Sequence, residues 1–319
     1  MGAVMSPETP SSDQRAMHLP VTIYLDYNVI SSAIGIPQQA DALVEVAAIG
    51  SLAQRGARFV LSAWTAYELA RSLDVQHVRQ CCAFIEGLQP LWVSDARHIV
   101  DREIAAFLAR HRGTTGEPRG IVVQALNETI GQMWSTYGVH IAARENFTDC
   151  VREMRRNPQD LDTILQAAGH TPQAITATRA APPPAQGTGS QPQALEQDRA
   201  YFAARLRARR QDERVDFLIA SRAQLYRESP MLAIEDALMR VRGNDSFKPN
   251  PSHAADFQHG VAALACCNHF VTRDGQLRGH ARIVIKELGL QCRVHARVAT
   301  VCATSGPLAA QAMSSSGSD

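Results

Sequence analysis

The sequence predicts an α/β protein in which a parallel β-sheet is covered by helices on both faces. Strand-like and helix-like segments alternate over residues 21–73, as in parallel sheets, whose strands need crossover connections. The strand-like segments are apolar, which is typical of strands buried on both faces. The same alternation returns at residues 252–294, so we expect both ends of the chain to contribute to one sheet.

The first predicted strand covers residues 21–26, a β-branched run that closes on Asp26. A helix is predicted at 40–54, where apolar residues recur with helical spacing. The other elements of the sheet-forming segments are predicted as strand 58–61, helix 62–73, helix 252–267, strand 270–272 and a weaker strand near 292–294.

The segment between these two parts is predicted to be almost wholly helical. Its helices are expected at 78–88, 95–110, 124–137, 147–154, 161–168, 195–228 and 231–241, with a loop at 243–251. Residues 169–194 are rich in Pro and Gly and are predicted as a linker. The predicted divisions are a core of residues 20–90 and 251–303, a large helical insertion at 91–250, and flexible tails at 1–19 and 304–319.

The composition excludes several classes of protein. Of the 319 residues, 45% are hydrophobic and 20% are charged, which allows a packed core and excludes wholesale disorder. The net charge of +1 gives no overall basic field of the kind that attracts nucleic acid. No apolar stretch is long enough to span a membrane, so an integral membrane protein is not expected. Seven cysteines without a C-x-x-C pattern, and no apolar leader, favour a reducing cytoplasm.

Four acidic residues fall at equivalent ends of the predicted α/β units. Asp26 and Asp274 follow strands, whereas Glu68 and Asp256 are expected on the first turns of helices. Ligands of open α/β sheets bind beyond the carboxyl ends of the strands, so these side chains are predicted to converge. Four carboxylates repel one another unless a cation lies among them, and oxygen ligands suit Mg²⁺ or Mn²⁺ better than zinc.

Each of these acids also has a purely structural interpretation. Thr65 and Glu68 fit a helix capping box, and Asp256 complements the dipole of its helix. Asp274 precedes a glycine as in an ordinary turn, and Asp26 fits a loop cap. Their placement at matching ends of successive units favours a common site.

Four segments resemble the motifs of the PIN domain family, in the order in which that family carries them. They are residues 24–30 (YLDYNVI), 62–69 (SAWTAYEL), 255–257 (ADF) and 270–274 (FVTRD). The resemblance covers about 130 residues and does not extend to 90–250. His269 and Arg273 depart from it, since relatives often carry an acid at the first position and Asn or Ser at the second.

The resemblance implies a three-layer α/β/α core and a metal-dependent ribonuclease that hydrolyses RNA. Asp26 and Asp274 are then the principal ligands of one or two Mg²⁺ or Mn²⁺ ions, and Glu68 and Asp256 complete the site. The residues expected to orient the carboxylates are Asn28, Thr65 and Thr272. A toxin or phage-defence effector, a protein inhibitor or antitoxin as partner, and a homo-oligomer are compatible with this family.

Two other functions are compatible with parts of the sequence. A catalytically inactive PIN-like scaffold that binds RNA or protein would share the fold, but the complete set of acids favours an enzyme. A phosphatase with Asp26 as nucleophile needs a second Asp two residues later, but Asn28 stands there. It also needs a lysine in a recognisable motif, and neither lysine of the chain lies in one.

Two further groups of residues have structural interpretations that we favour. The arginines of residues 199–214 alternate with acids, which predicts a salt-bridged helix face more than a phosphate-binding surface. His253, Asp256 and His259 are spread over too wide an arc of one helix for a zinc site of their own, so none is expected there.

Overall fold

The structure, a computed structural model, describes residues 20–35, 40–113, 123–139, 144–179, 190–207, 212–244 and 253–304. Within these residues lies a six-stranded sheet. Its strands are β1 (Thr22–Leu25), β2 (Arg58–Ser62), β3 (Leu91–Val93), β4 (Val123–Gln124), β5 (His269–Val271) and β6 (Arg293–His295).

Helices make up most of the remaining described residues. The helices of the first half are α1 (Tyr27–Gly35), α2 (Ala40–Gln54), α3 (Ala63–Arg71), α4 (Val75–Leu88), α5 (Ala96–His111), α6 (Leu126–Thr136), α7 (Phe147–Arg156) and α8 (Pro158–Arg179). Those of the second half are α9 (Ser190–Leu206), α10 (Glu213–Ala220), α11 (Arg222–Glu228), α12 (Pro230–Asn244), α13 (His253–Cys266), α14 (Gly275–Leu288) and α15 (Val298–Thr304).

The strand order β4-β3-β2-β1-β5-β6 places β1 at a point where the chain reverses its direction across the sheet. From β1 the chain adds β2 and β3 on one side, and it later returns to add β5 and β6 on the other. All of these pairs are parallel, and β4 alone is antiparallel. Crevices for ligands form beyond the carboxyl ends of strands at such a reversal, here between β1 and β5.

Helices cover both faces of the sheet. Because alternate side chains of a strand point in opposite directions, one strand contributes to the packing on both faces. Ile23 and Leu25 join one buried cluster, which includes residues of α2, α3, α4 and α7. Tyr24 joins a second cluster, which includes residues of α5, α12, α13 and α14. The predicted α/β class with a parallel sheet is therefore confirmed.

The predicted boundary between core and insertion is wrong at its first end. Strands β3 and β4 lie within residues 91–250 and extend the sheet beyond β2. A strand of three residues after Pro90 is too short to show the alternation that distinguishes a strand from a helix. Three helices, α1, α14 and α15, were also not predicted from the sequence.

Two predictions in the middle of the chain are also wrong. The linker expected at 169–194 is helical in part, since α8 continues to Arg179 and α9 begins at Ser190, while 180–189 lie outside the described residues. The single helix expected at 195–228 is three helices. Arg207 has a left-handed backbone (φ 49°) after α9, and Asp212 caps the start of α10. Residues 1–19, 245–252 and 305–319, which include most of the predicted loop and tails, lie outside the described residues.

The predicted salt-bridged face is confirmed where the structure describes it. Arg199 pairs with Asp216 at 2.6 Å and Arg214 with Asp212 at 2.7 Å. Arg205 is buried between Asp101 of α5 and Glu235 of α12. Arg199 and Arg205 therefore connect different helices, whereas Arg214 pairs with the cap of its own helix.

The described residues contain no helix with the length and apolarity that a membrane span requires. All seven cysteines are free thiols, and five of them are buried.

Candidate metal centre

Asp26 directly follows the central strand β1 and is almost completely buried, with 1% of its surface exposed. Its backbone N–H donates to Val271 O at 3.0 Å, which extends the β1–β5 pairing to the edge of the sheet. Its Oδ2 accepts hydrogen bonds from Thr272 Oγ1 at 2.5 Å and from Asn28 Nδ2 at 2.8 Å. Its Oδ1 is buried and has no hydrogen-bond partner among the described residues. One carboxylate oxygen is therefore fixed and the other is available to a ligand.

Asn28 and Thr272, which were expected to orient the carboxylates, both donate hydrogen bonds to Asp26. Asn28 Nδ2 also lies 3.2 Å from Thr272 Oγ1, and Asn28 Oδ1 accepts from the Arg273 N–H at 2.9 Å. These contacts tie the start of α1 to the segment after β5. Thr65, in contrast, is buried with its hydroxyl unpaired among the described residues, so no hydrogen bond gives it the predicted role.

Glu68 lies on the second turn of α3 rather than the first, and its carboxylate faces α13. Its Oε2 is 2.8 Å from Nε2 of His259. The capping box proposed as an alternative does not form, because α3 begins after Ser62, which makes no side-chain cap bond. Glu68 is therefore held by a residue from the other half of the chain.

His259 lies on α13, one turn after Asp256, and is fully buried. While Nε2 faces Glu68, Nδ1 lies 2.6 Å from the hydroxyl of Tyr24 on β1. That hydroxyl in turn donates to Ser62 Oγ at the end of β2, at 2.8 Å. The imidazole therefore bridges α3 and the two central strands.

Asp26, Glu68 and His259 form a group that could hold a metal ion. Each offers one ligand atom, and the three atoms lie within 4.8 Å of one another. Ligand atoms that share an ion at about 2.1 Å are at most about 4.2 Å apart, so small side-chain movements suffice. The unpartnered oxygen of Asp26 and the donor set of two carboxylates and one imidazole both fit a divalent cation.

Burial and the neighbouring charges shift the pKa values of this group. Burial, reinforced by the charge of Glu68, raises the pKa of Asp26 to about 6, although His259 and the Thr272 hydrogen bond oppose the change. Burial opposes protonation of His259, yet Glu68, Asp26 and Asp256 together raise its pKa to about 9. Without a cation, an imidazolium therefore balances part of the negative charge.

Asp256 and Asp274 lie near this group but do not belong to it. Burial and the charge of Asp26 raise the pKa of Asp256 to about 6. Asp274 caps α14, where its Oδ1 accepts from Gln276 N at 2.7 Å and Leu277 N at 2.9 Å. Asp274 therefore has the structural role that its turn-like sequence suggested, and its role as a principal metal ligand stays a prediction.

His259 was not predicted from the sequence as a site residue, and neither were Tyr24 and Ser62. His259 was considered only with His253 and Asp256 on the same helix, and neither of these belongs to the group that could bind metal. Its partners come from α3 and the strands, so spacing along α13 gave no signal. The position of Asp256 one turn earlier could have drawn attention to this helix face.

No protein-family model, curated protein or solved structure matches the chain. The expectation of a PIN-type protein therefore depends on the four sequence motifs and on the chemistry of the site.

Proposed function

We propose that the chain is a metal-dependent ribonuclease of PIN type, which hydrolyses phosphodiester bonds of RNA with a bound divalent cation, Mg²⁺ or Mn²⁺. The observation that carries the proposal is the buried Asp26, with one unpartnered oxygen, beside Glu68 and His259 at the carboxyl edge of the sheet. A buried carboxylate oxygen without a hydrogen-bond partner is costly, and a cation bound to it offsets that cost.

Asp26, Glu68 and His259 are the residues that would hold the ion. When bound, the cation orients a water molecule and neutralises charge on the scissile phosphate. Thr272 and Asn28 keep the Asp26 carboxylate in one orientation through hydrogen bonds of 2.5 and 2.8 Å. Asp256, whose pKa is raised to about 6 by burial and by the charge of Asp26, lies beside them. RNA as substrate, a toxin or defence role and a protein inhibitor are part of this proposal.

One observation favours a second function. The Glu68–His259 pair compensates its own charges without a cation, as expected of a PIN-like scaffold that binds RNA or protein without catalysis. Metal binding separates the two functions, because Mn²⁺ would not raise the stability of a scaffold in which this ion pair already balances the charges.

Cleavage of labelled single-stranded and structured RNA in Mn²⁺ or Mg²⁺ tests the proposal. We expect D26N and E68Q to lose at least about 100-fold in rate, since each removes a ligand charge. D95N is the matched control. Asp95 is also buried and also lies after a strand, but its two oxygens accept hydrogen bonds from Trp64 Nε1 and His98 N.

The expected pattern is metal-dependent cleavage by the wild type and by D95N, with little by D26N or E68Q. Absence of cleavage by every form, without stabilisation of the wild type by Mn²⁺ in thermal melting, would contradict the ribonuclease and support the scaffold.

A further inference from the structure

The two ring nitrogens of His259 face different environments. Nε2 faces Glu68 within the group that could bind metal, whereas Nδ1 faces the interior of the sheet. The ring is fully buried and packs edge-on to Tyr24, with ring centroids 5.7 Å apart. The imidazole ring therefore cannot flip, which would exchange the environments of its two nitrogens, without disrupting the core.

The hydrogen bonds of Tyr24 determine which nitrogen can bind a cation. A phenol has one proton, and that of Tyr24 is donated to Ser62 Oγ at 2.8 Å. The phenol oxygen, 2.6 Å from Nδ1, therefore accepts the Nδ1 proton of His259. The lone pair of the neutral ring is then on Nε2, the nitrogen that faces Glu68. Histidines that bind metals are commonly oriented by a partner on the other nitrogen in this way.

We propose that His259 is a nitrogen ligand of the metal centre, that Tyr24 and Ser62 position it, and that the centre consequently takes Mn²⁺ or another first-row transition cation in preference to Mg²⁺. The inference rests on the proposed function in treating this site as a metal centre. It adds the ligand Nε2 of His259, the positioning role of Tyr24 and the choice of cation. Binding of the cation releases the Nε2 proton to solvent.

The preference follows from the donor set. Mg²⁺ binds oxygen ligands and retains several water molecules, whereas imidazole is a good ligand for first-row transition cations. A group made only of carboxylates would accept either kind of ion. The nitrogen that replaces one carboxylate near Asp26 and Glu68 shifts the selection away from Mg²⁺.

Pulsed electron paramagnetic resonance of the full chain loaded with Mn²⁺ tests the ligand directly. A nitrogen bound to Mn²⁺ modulates the spin echo, whereas oxygen ligands do not. We expect this modulation in the wild type and its loss in H259Q. We also expect Mg²⁺ in about tenfold excess to leave the Mn²⁺ signal in place.

Y24F tests the positioning role and keeps the aromatic ring that packs against Phe270. Loss of a hydrogen-bond partner of this kind weakens metal binding by about 10- to 100-fold, which is the change we expect in the Mn²⁺ dissociation constant. Y137F is the matched control, because the buried hydroxyl of Tyr137 has no hydrogen-bond partner among the described residues. Y137F should bind Mn²⁺ as the wild type does.

Three results would overturn the inference: no nitrogen modulation in the wild type, displacement of Mn²⁺ by equimolar Mg²⁺, or unchanged Mn²⁺ affinity in Y24F. They can be distinguished from failure of the proposed function. Cleavage of RNA with Mg²⁺ and no nitrogen signal would retain the ribonuclease and reject the inference. A nitrogen signal without cleavage of RNA would retain the inference and reject the ribonuclease.

Discussion

Two buried aspartates show what separates a structural carboxylate from a candidate ligand. Asp26 and Asp95 each follow a strand of the sheet, each is 1% exposed, and burial raises the pKa of each to about 6. Asp95 has hydrogen-bond donors on both oxygens, from Trp64 and His98. Asp26 has donors on Oδ2 alone. Burial and position on the sheet therefore do not distinguish the two aspartates, whereas the unpartnered Oδ1 of Asp26 does.

Asp95 also makes a testable contribution to the pH dependence of stability. Its folded-state pKa of about 6 lies above its ordinary value of 3.8, so in this window the native protein holds a proton that the unfolded chain releases. The stabilisation that Asp95 contributes is therefore fully present below pH 4 and is lost as the pH rises from 4 to 6. Relative to D95N, the wild type should lose about 3 kcal/mol between pH 4 and pH 7.

Urea unfolding of both proteins at pH 4, 5, 6 and 7, with a chelator present, measures this difference. Asn does not titrate, and groups that do not interact with Asp95 contribute equally to the two proteins. A difference that stays constant with pH would show that the pKa of Asp95 is not raised in the folded protein.

At the scale of elements, Arg205 shows how the helices of the middle segment are held to one another. Its side chain, 4% exposed, lies on α9 and pairs with Glu235 of α12 and, at 3.1 Å, with Asp101 of α5. Its guanidinium also lies over the ring of Tyr201, 5.4 Å from the centroid. One arginine therefore connects three helices from distant parts of the sequence.

Replacement of this arginine should destabilise the protein strongly. R205A leaves the buried Glu235 without its partner, which costs about 3–5 kcal/mol when a buried pair is broken. R205M/E235L removes both charges, so its free energy of unfolding should lie closer to that of the wild type. Urea unfolding of the three proteins measures both effects. If R205A were within 1 kcal/mol of the wild type, the pair would have no role in holding these helices.

At the scale of the whole molecule, the middle helices share one core with the strands. Leu238 and Met239 of α12 lie in the same buried cluster as Tyr24 of β1 and Phe270 of β5. We therefore expect one cooperative unfolding transition by calorimetry, with equal calorimetric and van't Hoff enthalpies. Two separate transitions would instead indicate that the middle segment folds as an independent domain.

The sequence predicted those features of the fold that depend on local pattern. Strands β1, β2, β5 and β6 and helices α2 and α13 were located because their apolar spacing is regular. Strand β3, with three residues, has too few positions to show a period. The linker was misjudged because helix α8 continues past Ala168 into a segment of mixed composition.

The site was predictable only in part for a related reason. Asp26, Asn28 and Thr272 lie at strand ends, where the topology alone brings them together. The pairing of Glu68 with His259 depends on how α3 and α13 pack, and these residues are separated by 191 positions in the chain. Short-range spacing contains no information on such a contact.

The central pairing of β1 with β5 has a consequence for biosynthesis. Thr272, which holds the Asp26 carboxylate, follows it by 246 residues in the chain. Closing a loop of this length is slow, and domains fold from the N-terminus as they are made. A nascent or truncated chain that ends before β5 has Asp26 on an open sheet edge and lacks Thr272. A chain that ends before α13 also lacks His259, so it does not contain the complete candidate centre.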